Sequence, residues 1–258
     1  MMKKLFTSLV AVLCLSTSLF AEKIVVGATP VPHAEILEAV KGELKSKGFD
    51  LEVKEFNDYV IPNLATQDED LDANFFQHIQ YLDEFNKNKG TNLVKTVGVH
   101  IEPMGIYSKK IKNLNDLPNK AKVSLPNDPT NESRALDLLE NAGLIKLDKS
   151  VKLKTPLDII ENPKNLEFIE VEAASVPRTL DDVTIAVINT NFAFNAGLNP
   201  SKDALAIEGK DSPYVNIVVV KQGNENSPKT KALNEALTSQ KAKDFIEKKY
   251  SGAIIPAF

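Results

Sequence analysis

Arg134 follows Pro126-Asn127-Asp128-Pro129, a turn sequence that closes a short apolar run at Val123 and Leu125. Asn and Asp favour such turns by bonding back to the chain, and Pro presets the backbone angle. Ala135, Leu138, Leu139 and Ala142 then recur at helical spacing until Gly143, so the pattern predicts a helix capped by Thr130 or Asn131, with Arg134 in its first turns. Free N–H groups at a helix start and a planar guanidinium together make a site for an anion, most simply a carboxylate. The competing use of a single Arg is a surface bridge to a neighbouring acid. Asn189-Thr190-Asn191 ends the apolar run 184–188 with amides that can donate and accept, or simply form a turn. Phe75-Phe76-Gln77-His78 ends another strand-like run, either as the mouth of an α/β site or as a core edge capped by His78.

Much conversion chemistry is excluded. The chain holds no Gly-rich phosphate loop, no dinucleotide fingerprint and no Gly-x-Ser-x-Gly elbow. Its histidines are His33, His78 and His100, without close metal-ligand spacing, and no pair of acids stands out as a hydrolytic couple. No cofactor and no metal are expected, and capture of a small molecule is favoured over its conversion. A surface adhesion or structural role is the reading of another class.

Lys3 and Lys4 precede apolar residues 5–20, and Ala21 closes the run before Glu22 and Lys23, the pattern of a secretory signal peptide over 1–21. Cleavage there predicts a freely soluble periplasmic protein without cysteine, since Cys14 is the one cysteine of the chain. Lipid attachment at Cys14 is the less favoured course, because Leu13 rather than a small residue precedes it. Loss of Lys3 and Lys4 with the leader moves the formal charge from −4 to about −6, which opposes nucleic acid and anionic membrane surfaces as partners.

Strands and helices in alternation must position these residues. Residues 24–29 read as a buried strand, Pro30-Val31-Pro32-His33 as a turn into a helix with Ile36, Leu37, Val40 and Leu44 on one face, and 51–56 as a second strand. A short helix begins near Tyr59, a strand runs over 71–78, and a helix follows over 79–85 with Gly90 beyond it. Residues 93–107 are extended, as one long strand or two short ones, and 214–221 form a second long apolar strand. Between them, 144–155 read as a hairpin-like excursion, 157–160 as a short helix, 166–171 as a strand and 176–180 as the entry to a turn. Helices over 228–239 and 240–250 complete the chain. If both long runs cross between lobes, residues 22–107 and 217–258 form one lobe and 108–216 an inserted second.

Ordered blocks carry a family resemblance: Asp58-Tyr59-Val60-Ile61-Pro62-Asn63, Asp72-Ala73-Asn74-Phe75-Phe76-Gln77-His78, Tyr107-Ser108-Lys109-Lys110-Ile111, Ala186-Val187-Ile188-Asn189-Thr190 and Ser212-Pro213-Tyr214-Val215-Asn216, with the Arg134 segment among them. From residue 24 onward the chain resembles the NlpA-type lipoprotein family of methionine-binding substrate proteins. The resemblance implies an α/β, two-lobed periplasmic-binding-protein fold (type 2 like) with a ligand cleft between lobes. It further implies a monomer that captures L-methionine and delivers it to an inner-membrane ABC permease with a cytoplasmic ATPase. By that resemblance Arg134 takes the α-carboxylate, Asn189 and Asn216 make polar contacts, and Tyr59, Phe76, His78 and Tyr81 enclose the thioether. A short methionine-containing peptide or another apolar amino acid is the alternative ligand. Glu132-Ser133, just before Arg134, departs from the family pattern.

Overall fold

The computed structural model describes residues 21–258; the expected leader, apart from Ala21, lies outside them, and so does Cys14. In chain order the elements are β1 (Glu22–Ala28), α1 (Glu35–Ser46), β2 (Phe49–Glu55), α2 (Ile61–Gln67), β3 (Ala73–His78), α3 (Ile79–Lys89), β4 (Leu93–Ile101) and β5 (Gly105–Tyr107). There follow β6 (Lys122–Pro126), α4 (Pro129–Asn141), β7 (Lys146–Leu147), β8 (Ile159–Glu161), β9 (Glu167–Val171), β10 (Ile185–Ile188) and α5 (Thr190–Asn195). The chain closes with α6 (Pro200–Asp203), β11 (Ala206–Ile207), β12 (Val215–Lys221), α7 (Pro228–Leu237), α8 (Gln240–Tyr250) and β13 (Ile255–Pro256).

Two sheets organise two lobes. The first has six strands in the order β13-β4-β12-β3-β1-β2, and the second five in the order β11-β5-β10-β6-β9. In the first, β1 runs parallel to β2 and β3, whereas β12 runs antiparallel to β3 and β4. Ile36, Leu37, Val40 and Leu44 of α1 are buried, and they pack with β1 and with α7 and α8 into one core. This is the one-sided apolar stripe that helix spacing demanded. In the second sheet, Val123, Leu125, Ile185 and Val187 join the buried side of α4, while Ala186 and Ile188 point to the opposite face against Val176, Leu180 and Phe192.

Several local expectations change. The cap of α4 is Asp128, whose side chain accepts from the Asn131 backbone N–H; Pro129 occupies the first helical position, so the cap lies two residues before Thr130, the earlier of the two expected caps. Residues 157–160 are not a helix: a single 3₁₀ turn, Pro156–Asp158, held by a Thr155–Asp158 capping box, gives way to β8, which pairs with β7. Ala173–Asp181 forms a 3₁₀ helix where only a turn entry was expected. The extended run 93–107 is divided, because Pro103 has no N–H to continue a ladder. Its second part, β5, was assigned to the first lobe but pairs with β10 and β11 in the second sheet. Among the described residues no helix is long and apolar enough to cross a membrane.

Candidate functional site

Strand ends from both sheets converge on one cavity. β3 delivers Phe76 and His78, β10 runs out into Asn189, β6 leads through the Asp128 cap to Arg134, and β12 begins by placing Asn216. All seven residues named from the resemblance (Tyr59, Phe76, His78, Tyr81, Arg134, Asn189 and Asn216) line this cavity, together with Gln77, Glu102, Asn131, Thr190 and Asn191. About 330 Å³ of space, part of it open to solvent, lies between these side chains.

One wall is aromatic. Tyr59 stacks on Phe76 at 5.7 Å between ring centroids and meets Tyr81 edge-on at 5.7 Å and Phe192 of the other lobe at 4.9 Å. The Tyr81 hydroxyl donates to the Tyr59 carbonyl (2.9 Å), and the Tyr59 hydroxyl donates across the cleft to Asn191 Oδ1 (2.7 Å). Rings held at their polar tips present rigid apolar faces.

The polar wall has a fixed sense. Asp128 can only accept, so it takes the amide group of Asn131 on both oxygens at 3.0 Å and turns Asn131 Oδ1 outward. That oxygen then accepts from Asn189 Nδ2 at 2.8 Å and from His78 Nε2 at 3.3 Å. His78 Nδ1 accepts the Tyr81 backbone N–H (3.2 Å) and so caps α3, which leaves its proton on Nε2. Burial, then the Arg134 charge, lowers the His78 pKa to about 3, so the ring is neutral. The chain of bonds leaves Asn189 Oδ1 as a buried acceptor and Asn191 Nδ2 as a buried donor, each without a protein partner. Unpaired groups of both senses in one cavity call for a ligand that both donates and accepts.

Arg134 is buried and already engaged. Its Nε and Nη2 donate to the two carboxylate oxygens of Glu208 at 2.7 and 2.5 Å, and Nη2 also donates to the Glu102 carbonyl at 2.8 Å. The Tyr214 ring covers the guanidinium at 4.2 Å. A forked grip on a ligand through the Nε–Nη2 edge is therefore closed, and the free donors are those of Nη1. Neither a surface bridge nor an open anion fork describes this Arg: it is a buried ion pair with one edge left over.

Beneath the polar wall, His100 Nε2 and His33 Nε2 approach Glu102 Oε1 at 2.7 and 3.1 Å. His33 Nε2 also faces Asn216 Oδ1 at 3.0 Å, and its Nδ1 takes the Thr29 hydroxyl at 2.7 Å. Absence of metal-ligand spacing along the chain does not survive folding: the ligand-type atoms of His33, His100 and Glu102 all lie within 4.8 Å of one another. Their contacts are nonetheless those of two imidazole N–H groups donating to one carboxylate oxygen, so the atoms that would face a metal face each other.

Sequence reading missed Glu102, Asn131 and Glu208. Glu102 carried one usable signal, an acid alone in the apolar stretch His100-Ile101-Glu102-Pro103-Met104; Glu208 carried none, since it sits in an ordinary charged loop.

A family model described as NlpA lipoprotein matches residues 24–258. The Bacillus subtilis protein named methionine-binding lipoprotein MetQ is 48% identical over 241 residues, covering 91% of this chain and 88% of that protein. The D-methionine-binding lipoprotein MetQ of Escherichia coli K12 is 42% identical over 236 residues, covering 90% and 86%. Among solved structures, a nutrient binding protein from Burkholderia cenocepacia bound to methionine aligns with a TM-score of 0.89 at 45% identity, covering 91% of this chain and 100% of that one. These matches overturn the expectation of a merely soluble periplasmic form with lipid attachment disfavoured: the family and its named members are lipoproteins. Leu13 had weighed against an anchor at Cys14, but a preference at one position is weaker than membership argued over nearly the whole described chain. Two lobes around a cavity of aromatic, amide and guanidinium groups, with a family match over residues 24–258, place the chain in the NlpA lipoprotein family.

Proposed function

We propose that this protein is the substrate-binding component of an ABC importer, capturing methionine between its lobes and delivering it to the membrane permease. The observation that carries this reading is the cavity itself, an aromatic wall facing unpaired amide groups and a guanidinium edge, in a chain 45% identical to a protein whose structure holds methionine. Tyr59, Phe76 and Tyr81 surround the thioether, whose polarizable sulfur gains about 0.3–1.5 kcal/mol per ring contact. Arg134 Nη1 and Asn191 Nδ2 serve the α-carboxylate; Asn189, Asn216 and His78 complete the polar rim. The lobes are taken to divide at residues 102–104 and 208–214, where the chain passes between sheets. The protein binds and releases its ligand unchanged, as a non-catalytic carrier.

Calorimetry on protein unfolded, stripped of copurified ligand and refolded tests this with L- and D-methionine. Methionine binding is expected, and Arg134→Ala is expected to weaken it by at least about 10- to 100-fold, the worth of a charge-assisted bond. Arg134→Lys separates charge from fork geometry, and thermal melts report folding of each variant. A wild-type protein that ignores both enantiomers rejects the reading.

A further inference from the structure

We propose that the buried amides of Asn63, Asn74 and Gln77 are positioning residues for the ligand cavity: they clamp a bulge in β3 and so turn His78 toward it. The proposal rests on the cavity being the methionine site.

The register of β3 carries it. Side chains of a strand alternate between faces, so Asn74 and Gln77, three apart, belong on opposite faces, and Asn74 and His78, four apart, on the same one. On β12, however, Asn74 lies across from Val219 and Gln77 from Ile217, two residues that share one face and pack with Leu82 and Leu93. Phe75 lies across from Val218 and His78 from Asn216, on the other face. Phe76 is the extra residue: among the described residues it has no register partner on β1 or on β12. Such a bulge shifts the register by one and reverses the face of everything beyond it. His78 is thereby taken off the face of Asn74 and set beside Asn216 on the cavity.

The amides close over that bulge. Gln77 Nε2 donates to Asn74 Oδ1 at 2.8 Å, directly across Phe75 and Phe76. Asn63, reaching in from α2, exchanges a pair of bonds with Gln77: its Nδ2 donates to Gln77 Oε1 at 3.1 Å and its Oδ1 accepts from Gln77 Nε2 at 2.5 Å. The same Oδ1 accepts from Asn74 Nδ2 at 3.0 Å. Asn74 Nδ2 also donates to Thr66 Oγ1 at 2.8 Å, and the Thr66 hydroxyl donates to the Pro62 carbonyl at 2.7 Å. Asn63, Thr66 and Asn74 are wholly buried and Gln77 nearly so. Apolar side chains would serve for packing α2 on β3. Three amides that engage each other fix one arrangement of the strand, because any other leaves an amide unpaired away from water.

Asn63 and Asn74 lie outside the cavity lining, so their loss reaches the ligand only through the strand. Asn63→Leu keeps the size of the side chain and removes its bonds. By calorimetry it should weaken methionine binding by about 3- to 10-fold, the span of one misdirected bond. In a His78→Ala background the same substitution should cost less than about twofold, since the group it acts through is gone. Thr66→Val, which removes one bond to Asn74, takes its place in the cycle if Asn63→Leu does not fold. Nitrogen NMR of the imidazoles reads the orientation without ligand. His78 should show a proton on Nε2 and an accepting Nδ1 in the wild type, and an averaged pattern in Asn63→Leu, with His33 and His100 unmoved. An equal affinity loss in both backgrounds, unchanged affinity in the folded variant, or an unmoved His78 pattern overturns the positioning role and leaves the transport reading standing. Wild-type protein that binds no methionine overturns the transport reading, while the His78 pattern still decides whether the amides set the strand end.

Discussion

Asp128 shows how one residue can set the sense of a whole site. Because a carboxylate only accepts, Asn131 has a single orientation, and Asn189 and His78 follow from it. Asp128→Ser keeps a good helix cap but replaces an obligate acceptor with a hydroxyl that can also donate, so the amides gain a second arrangement. Methionine affinity is expected to fall about fivefold with little change in melting temperature, the net worth of one correctly oriented bond being about 1 kcal/mol. Unchanged affinity by calorimetry would remove Asp128 from the site. Of this network the sequence suggested Arg134, the amide at 189 and the imidazole at 78 as separate possibilities. It could not order them, since orientation is passed through contacts between residues distant in the chain.

At the scale of elements, the two crossover segments matter most. The segment after β4 and the loop after β11 are bound to each other: Glu208 N–H donates to the Met104 carbonyl, and Met104 N–H donates to Glu208 Oε2, both at 2.9 Å. Glu208 therefore ties Arg134 to both passages between lobes. Glu208→Gln keeps the shape but leaves a buried guanidinium without its counter-charge, and is expected to destabilise the protein by about 3 kcal/mol. A denaturant midpoint equal to that of the wild type would mean the pair contributes nothing. Strands and helices with strong periodicity, such as α1, α8 and β12, were legible before folding. The 3₁₀ segment Ala173–Asp181 was not, because its apolar positions, Val176 and Leu180, take their meaning only from the sheet face they cover.

For the molecule as a whole, three buried neutral histidines dictate an acid sensitivity. His33, His78 and His100 have folded pKa values of about 4, 3 and 3 against an ordinary 6.5, each lowered first by burial. At these three rings the unfolded chain binds more protons than the folded one below pH 6.5, while the carboxyls of Glu132, Glu102 and Asp128, raised by burial, act in the opposite sense. The histidine contribution to stability is complete above pH 6.5 and is lost as pH falls through the window toward 4 and then 3, by about 1 kcal/mol per pH unit for each ring. Chemical denaturation at pH 7 and pH 5 should show the drop, and His100→Phe should reduce it. A slope unaffected by removing His100 would place the acid sensitivity elsewhere.

Taken alone, the amino-acid order determined the α/β alternation, the aromatic and amide residues at strand ends and, through ordered blocks spread along the chain, the family. These are local properties, written in periodicity and in short motifs. The tertiary structure alone decided that Arg134 is held by Glu208, that β5 belongs to the second sheet, and that His33 and His100 close on Glu102. Each depends on strands brought side by side: Asn216 pairs with both His78 and His100, and Ala186 with Tyr107. Burial at those meeting points then fixes charge, tautomer and hydrogen-bond sense, and no window of sequence contains it.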